Sequence, residues 1–369
     1  MKNVVALNGR FTRAHYPSGT QVASFHLFDA LVRASRELEI VVFADPTFPG
    51  VRDWAEVPRT RLVPVPFQRW SRPRCQLWEQ AVFTRQAWRK GCRLAHHPMN
   101  TSPARPGPLK SVVTLHDLNF FLHPEWHRRI FCWAYRWLAL PGLRRADRVV
   151  TISQYVRSQA ERFLGISADR LRTIPNGLVP LPEPEPLPRN PPFVFCVGSY
   201  QPHKNLARLI QAYQRVRAEF GDLELRIAGL PEKRYRVDPG LGELLQQPGV
   251  RRLGYLSPAQ LAAHYQGASV FCFPSLEEGF GLPVLEAMSL GTPVVTSNVS
   301  CLPETAGEAA LLVNPTSVDD LARAITRVLR MSTKEKEDWV NRGKDRARLF
   351  CWGVAALEYL KLYHEVLDE

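Results

Sequence analysis

Two glutamates flank a glycine-rich turn in the second half of the chain, and these residue types at this spacing suit sugar-phosphate chemistry. Seven residues separate Glu278 from Glu286, and the Gly-Phe-Gly-Leu-Pro run at 279–283 leaves two positions without side chains. Pro283 fits the first position of a helix, whose bare amides favour phosphate. Carboxylates accept hydrogen bonds from sugar and ribose hydroxyls. The stretch predicts a site for a phosphorylated sugar, with solvated surface acids around an ordinary turn as the alternative.

Other polar residues follow predicted strands, where a parallel sheet places its ligands. His116 comes directly after the apolar run 112–115, and Lys204 with Asn205 follows a later apolar run. Gly19 stands at the start of a predicted helix, where its amide could face a phosphate. Each signal is weak alone, because a turn histidine or a turn glycine gives the same pattern.

Short β-branched runs alternate with helical patterns along the chain, which predicts an α/β fold with parallel sheets. The segment 175–192 contains eight prolines and is predicted to be an extended connector. We therefore predict two doubly wound, Rossmann-like domains that face a cleft. The predicted boundaries are a first domain at 1–178, a proline-rich linker at 179–192 and a second domain that begins at 193.

Charge is divided unevenly along the chain. The net charge is +13, and residues 1–190 carry 28 Lys and Arg against 14 Asp and Glu. Two stretches in this half, 69–93 and 126–148, hold thirteen basic residues and two acids, interleaved with aromatic residues. Such stretches fit helices with a buried aromatic stripe, an anionic membrane surface or nucleic acid. The buried stripe is the leading interpretation, and no nucleic-acid motif supports the third.

The sequence shows no sign of membrane insertion or secretion. No apolar run approaches the roughly 18 residues that span a bilayer, and the apolar start is too short for a signal peptide. We expect a cytoplasmic protein and leave open peripheral binding to the inner face of the membrane.

The combined motifs resemble the family-4 retaining glycosyltransferases of the GT-B fold, and in detail the mannosyltransferases among them. The resemblance rests on Glu278 and Glu286 around the glycine turn, on Lys204-Asn205 after Pro-His, and on Leu-Pro-Glu at 302–304. It implies an acceptor-binding domain at 1–178, a donor-binding domain at 193–349 and a closing segment at 350–369 that crosses back to the first domain. GDP-mannose is the first expected donor and a UDP-sugar the second, with no further cofactor.

The resemblance also implies roles for individual residues. Lys204 would neutralise the donor diphosphate, Glu278 would bind sugar hydroxyls, and His116 would contact the donor sugar or its phosphate. The remaining donor contacts would come from Gly19, Ser199, Asn205, Gly279, Phe280, Gly281, Leu282 and Glu286, the last through the ribose. No Asp-x-Asp motif is present to hold a divalent ion, so we expect metal-independent transfer that relies on fixed charges.

The expected activity is transfer of a hexosyl unit to a glycan or lipid-linked acceptor in polysaccharide biosynthesis. Retention of configuration and front-face attack follow from the resemblance alone. Two alternatives remain at this point: a sugar-nucleotide epimerase or phosphorylase of the same fold, and a non-catalytic module that docks on a membrane. The expected partners are the donor, the acceptor and an anionic membrane surface, without nucleic acid.

Overall fold

The chain divides into two compact units. The computed structural model describes residues 3–13, 18–105, 107–187, 191–230 and 240–369. Unit 1 comprises Met1–Leu122, Cys132–Gly177 and Cys351–Glu369, and unit 2 comprises His123–Phe131 and Leu178–Phe350. The short segment 123–131, which the sequence assigned to the first domain, therefore groups with unit 2. Of the predicted linker, residues 179–187 form neither helix nor strand, and 188–190 lie outside the described residues.

Unit 1 is built on a parallel sheet. Its strands are β1 (Val4–Asn8), β2 (Glu39–Ala44), β3 (Thr60–Pro64), β4 (Leu94–His97), β5 (Lys110–Leu115), β6 (Arg148–Thr151) and β7 (Leu171–Thr173). They lie in the order β3-β2-β1-β4-β5-β6-β7, and every pair is parallel. All five residues of β1 are buried, because helices cover both faces of the sheet. This burial explains why β1 is apolar from Val4 to Leu7.

The helices in the first half of the chain are α1 (Gly19–Ala34), α2 (Arg72–Trp78), α3 (Thr84–Arg89), α4 (Asn119–Leu122), α5 (Arg129–Leu138), α6 (Leu140–Arg145) and α7 (Gln154–Gln159). A π-helical turn, Glu79–Phe83, joins α2 to α3. This region packs on the sheet through Trp78 and Phe83, whose rings lie 5.2 Å apart and contact Phe43 of β2. These aromatic side chains are core, as the sequence predicted for them.

Unit 2 repeats the architecture. Its strands are β8 (Phe193–Val197), β9 (Glu224–Ala228), β10 (Val250–Gly254), β11 (Val270–Phe273), β12 (Val294–Ser297) and β13 (Leu311–Val313). The parallel order is β10-β9-β8-β11-β12-β13. Its helices are α8 (Leu206–Phe220), α9 (Leu241–Leu244), α10 (Pro258–Gly267), α11 (Leu282–Ser289), α12 (Leu302–Ala306), α13 (Val318–Leu329) and α14 (Thr333–Arg348). The doubly wound α/β class predicted from the sequence is confirmed in both units.

The C-terminal helix, α15 (Trp352–Asp368), packs in unit 1 against β4, β5 and α1. Two buried tyrosine hydroxyls fix it to the sheet. The hydroxyl of Tyr363 lies 2.6 Å from Nδ1 of His96, and that of Tyr359 lies 2.8 Å from Oγ1 of Thr114. Among the described residues, no helix combines the length and apolar character that crossing a bilayer requires.

Each sheet reverses its strand order once. The reversal falls between β1 and β4 in unit 1 and between β8 and β11 in unit 2. In open parallel sheets, ligands bind beyond the carboxyl ends of the strands at such a point. The loops that follow these four strands are therefore where functional side chains are expected.

Candidate active site

The glycine-rich turn after β11 is held in one shape by its own packing. Gly281 has φ of +93°, and a Cβ atom there would lie 2.8 Å from Cδ2 of Leu302. The hydroxyl of Thr305 donates to the carbonyl of Phe280, which is itself buried. Helix α11 begins at Leu282, one residue before the proline at which the sequence placed its start. Only glycine meets both the positive φ and the close approach of α12.

Lys204 and Glu278 form a direct ion pair in unit 2. The Nζ atom of Lys204 lies 2.6 Å from Oε1 of Glu278, and both side chains are about one-sixth exposed, at 16% and 15%. The ammonium also lies 5.0 Å from the ring centroid of Phe273. Lys204 follows β8 and Glu278 follows β11, the two strands at the reversal of the sheet. The structure thus joins two predicted site residues that are 74 positions apart in sequence.

Asn205 connects the loops that carry this pair. It adopts a left-handed conformation with φ of +58°, and its Nδ2 donates to the carbonyls of Pro274, at 3.0 Å, and Pro315, at 2.7 Å. Its Oδ1 accepts from Arg208 at 2.9 Å. Because these bonds engage both amide hydrogens and the oxygen, a positioning role fits Asn205 better than direct contact with the donor.

Glu286 lies one turn into α11 and is half-buried. The hydroxyl of the fully buried Tyr265 donates to its Oε2 at 2.7 Å. Burial raises the pKa of Glu286, and the hydrogen bond from Tyr265 opposes this increase. The hydrogen bond from Tyr265 therefore fixes the orientation of the carboxylate.

The loop after β8 brings Ser199 to the same end of the sheet. The carbonyl of Ser199 accepts from the amide of Gln201 at 2.7 Å, and its side chain is partly exposed. A Cβ atom at the neighbouring Gly198 would lie 3.2 Å from Cγ of Lys204. The small residue at 198 therefore allows the lysine stem to lie against the loop backbone, which directs its ammonium toward Glu278.

Two predicted residues lie in unit 1. Gly19 is exposed and begins α1, where Oε1 of Gln21 accepts from the backbone amide of Ser18 at 2.9 Å. A Cβ atom at Gly19 would meet nothing within 4 Å, so protein packing does not require glycine there. Free space above a helix start is compatible with an approaching phosphate. Part of the loop before it, residues 14–17, lies outside the described residues.

His116 is buried after β5, and its hydrogen bonds define its tautomer. Its Nε2 lies 2.8 Å from the carbonyl oxygen of Pro98, which can only accept, so Nε2 carries the proton. Burial lowers the pKa of His116, and the Pro98 carbonyl and Asp117 oppose the decrease. The neutral ring therefore offers Nδ1 as an acceptor. An accepting Nδ1 is compatible with the contact to the donor sugar that the resemblance implies for His116.

A buried polar cluster at the strand reversal of unit 1 was not found from the sequence. Glu79, only 2% exposed, accepts from Asn8 at 2.7 Å and from Thr101 at 2.8 Å, and forms an ion pair with Arg10 at 3.3 Å. Nδ1 of His97 lies 3.4 Å from the same carboxylate. Burial would raise the pKa of Glu79, but Arg10, His97 and Thr101 together lower it. For Glu79, the signal in the sequence was a single acid within a basic stretch.

The segment 123–131 contributes an aromatic pair to unit 2. The rings of His123 and Trp126 stack with their centroids 3.9 Å apart, and Trp126 lies 5.6 Å from the ring of His203. Nε2 of His123 lies 3.9 Å from Oε2 of Glu277. His203 and Glu277 directly precede Lys204 and Glu278, so this pair approaches the side chains next to the ion pair.

Comparison with known proteins follows the division of the chain. The model of glycosyl transferases group 1 matches residues 181–346, and the model of glycosyltransferase family 4 matches residues 17–180. The chain is 32% identical to O-antigen chain mannosyltransferase B of Escherichia coli over 69% of its own length and 70% of that protein. It is 29% identical to the phosphatidyl-myo-inositol mannosyltransferase of Mycolicibacterium smegmatis over 59% of its length, spanning 57% of that relative.

Among solved structures, sucrose-phosphate synthase from Thermosynechococcus elongatus superposes with a TM-score of 0.74 at 23% identity, with all of both chains covered. This likeness supports the two-sheet fold predicted from the sequence. The family matches on both halves of the chain and the identity to the Escherichia coli protein agree with the resemblance seen in the motifs. The chain therefore belongs to glycosyltransferase family 4.

Proposed function

We propose that this glycosyltransferase moves a mannosyl unit from GDP-mannose to a glycan or lipid-linked acceptor, with retention of configuration and without a metal ion. The observation that carries the proposal is the Lys204–Glu278 pair, which places a cation and a carboxylate side by side at the strand reversal of unit 2. A nucleotide sugar needs both, because the cation meets the charge of the diphosphate and the carboxylate accepts hydrogen bonds from the sugar hydroxyls. The two mannosyltransferase relatives support mannose, and a UDP-sugar is the second candidate.

In this proposal the pair separates when the donor binds. The Lys204 ammonium moves from Glu278 to the diphosphate, and Glu278 then accepts hydrogen bonds from sugar hydroxyls. Glu286, oriented by Tyr265, accepts from the ribose, and Asn205 holds the two loops in register. His116 accepts from a sugar hydroxyl through Nδ1. Gly19 and the amides around Gly279 meet the remaining phosphate charge.

The proposed chemical step is attack on the same face from which the leaving group departs. The acceptor hydroxyl oxygen forms a bond to C1 of the sugar as the bond from C1 to the diphosphate oxygen breaks. The hydroxyl proton passes to the leaving phosphate, so the products are the mannosylated acceptor and GDP. Lys204 stabilises the charge that develops on the diphosphate. The absence of an Asp-x-Asp motif from the sequence supports a metal-independent step.

The Glu278→Gln variant tests the proposal, because loss of this charge should lower transfer without weakening GDP binding. Transfer should fall about a hundredfold, in line with loss of a charge-assisted contact worth about 2–4 kcal/mol. GDP binding, measured by calorimetry, should remain equal or become tighter, because Lys204 no longer has to leave a carboxylate. The matched control is Glu308→Gln, an exposed acid of unit 2, which should change neither quantity. Normal transfer by Glu278→Gln, or weaker GDP binding, would refute the assigned role.

Product analysis separates the proposal from its alternatives. A retaining transferase gives a new α-mannoside on a separate acceptor from an α-linked donor, and proton NMR of the anomeric signal reports the configuration. An epimerase or phosphorylase forms no such product, and a non-catalytic docking module consumes no donor. Equal activity after treatment with EDTA is expected for metal-independent transfer.

The acceptor is proposed to be associated with an anionic membrane. The positive charge is concentrated in residues 1–190, and one relative is named for a phosphatidyl-inositol substrate. Arg69, Arg72 and Arg74 are exposed, and each cation near an anionic leaflet contributes about 1 kcal/mol. Reversing the three to Glu should weaken sedimentation with anionic vesicles and leave donor hydrolysis intact.

A further inference from the structure

Several large aromatic side chains of the basic stretches lie on the surface of the protein. The sequence interpretation that these aromatics form a buried stripe is wrong for Trp88, Trp133 and Trp137, which are 57%, 65% and 62% exposed. It holds for Trp78 and Phe83, which are buried in the core of unit 1. Exposed tryptophans on neighbouring helical turns are costly in water and need a partner surface.

Helix α5 presents the densest group. Trp133 and Trp137, which both belong to unit 1, are spaced four residues apart and so share one face of the helix, here termed the α5 face. The rings of Trp133 and Trp137 lie 6.3 Å apart. Arg129 and Arg136 of the same helix are also exposed. The combination of aromatic side chains and arginines on one short helix is typical of helices that lie in a membrane interface.

The α2–α3 region of unit 1 also carries exposed apolar side chains. The side chain of Gln80, between α2 and α3, donates to the carbonyl of Ser102 at 2.9 Å and accepts from the amide of Ala104 at 2.9 Å. Arg145 of α6 donates to the carbonyl of Ala104, also at 2.9 Å. The loop at 102–104 therefore joins the α2–α3 region, which carries exposed Leu77 and Trp88, to the α6 region that follows α5.

The charge of this surface is more positive than its composition suggests. The stretches 69–93 and 126–148 contain two acids, Glu79 and Asp147. Glu79 is buried against Arg10, and Asp147 pairs with Lys110 at 3.4 Å. Glu79 and Asp147 are therefore engaged by Arg10 and Lys110 rather than by the exposed Arg136 of α5, whereas Arg148 of the second stretch pairs with Glu369. A second copy of the chain would bring the same arginines together, which like-charge repulsion disfavours.

We propose that the α5 face and the arginines around it form the surface by which unit 1 docks on an anionic lipid bilayer. The inference deepens the proposed function, since it rests on a membrane-associated acceptor, and it adds the α5 face to the contribution proposed for Arg69, Arg72 and Arg74. The tryptophan rings enter the headgroup boundary, and the arginines meet the lipid phosphates. Docking on this face gives unit 1 access to a lipid-linked acceptor.

The test is co-sedimentation with phosphatidylcholine vesicles that either contain or lack phosphatidylglycerol. The wild type should sediment with the anionic vesicles at low salt and be released by high salt. Replacing Trp133 and Trp137 together by Ser should lower the partition coefficient on the order of tenfold or more, because two aromatic side chains no longer leave water. The control replaces Val354 and Leu357 of α15 by Ser, since both are equally exposed at 60% and lie in the same unit.

GDP binding by the same proteins distinguishes failure of the docking proposal from failure of the proposed function. Both double variants should bind GDP as the wild type does and keep its circular dichroism spectrum. The docking surface is refuted if the tryptophan variant sediments like the wild type, if the control loses as much binding, or if the wild type does not sediment. It is also refuted if the wild type forms a dimer that the tryptophan variant cannot form. Failure of the wild type to bind any nucleoside diphosphate would instead contradict the proposed function.

Discussion

Replacing Glu79 by Gln should destabilise unit 1 strongly, although the change keeps the size of the side chain. The carboxylate is 2% exposed and accepts from Asn8 through Oε1 and from Thr101 through Oε2, with the Arg10 guanidinium 3.3 Å away. A glutamine has one accepting oxygen. If that oxygen keeps the bond from Asn8, its NH2 group must face the donors of Thr101 and Arg10.

The magnitude follows from the charge that remains. Breaking a buried ion pair by removal of one partner costs about 3–5 kcal/mol. Arg10 keeps hydrogen bonds to Gln76 at 2.8 Å and Thr101 at 2.7 Å, and its side chain is 17% exposed, so the lower end of this range applies. A loss of about 3 kcal/mol corresponds to a decrease in Tm of roughly 6–12 °C for a unit of this size.

Differential scanning calorimetry of the two proteins measures this difference. The matched control is Glu161→Gln, which removes a surface pair with Arg157 at 3.0 Å in which the side chains are 26% and 41% exposed. That change should lower the free energy of unfolding by less than about 1 kcal/mol. If Glu79→Gln unfolds within the same margin as the control, the carboxylate does not hold the cluster together and the reasoning is refuted.

The Glu79 cluster should also make the unfolding free energy of the protein depend on pH. The pKa of Glu79 is lowered below its ordinary 4.5 in the folded protein, so the unfolded state binds the proton more readily. Its stabilisation is fully present above that value and is lost as the pH falls toward the folded pKa. The difference in unfolding free energy between wild type and Glu79→Gln should therefore decrease on acidification below about pH 4.5. A difference that stays constant through this range would contradict the assignment.

Three further changes test the donor-binding half. Lys204→Ala should weaken binding of GDP far more than binding of guanosine, because the ammonium is proposed to meet only phosphate, and equal weakening would contradict this. Gly281→Ala should destabilise unit 2 by about 1–3 kcal/mol and impair donor binding, because alanine is strained at φ of +93°. The control is Gly242→Ala, which should be tolerated because a Cβ atom at Gly242 meets nothing within 4 Å. Trp126→Ala should raise the donor KM with little change in Tm, and an unchanged KM would show that this ring does not position the Lys204 loop.

The sequence determined the features that depend on local chain geometry. The turn between Glu278 and Glu286 could be read directly, because glycine at a positive φ and proline at a helix start act through their own backbones. Strands such as β1 and β8 were equally evident, since strands covered on both faces favour runs of apolar residues. The edge strands β3, Thr60–Pro64, and β7, Leu171–Thr173, carry no such signal because they are only partly buried. The family motifs supplied the remaining site residues.

The tertiary structure alone decided which side chains meet and which face water. Sequence spacing cannot show that Glu79 reaches Asn8 across 71 positions, or that Asn205 uses its amide to join two loops. Nor does helical periodicity distinguish Trp78, which is buried, from Trp133, which is exposed, because both lie in the same kind of basic-aromatic pattern. The physical reason is that hydrogen bonding and burial depend on the partner surface, which comes from distant parts of the chain, whereas backbone conformation is set by adjacent residues.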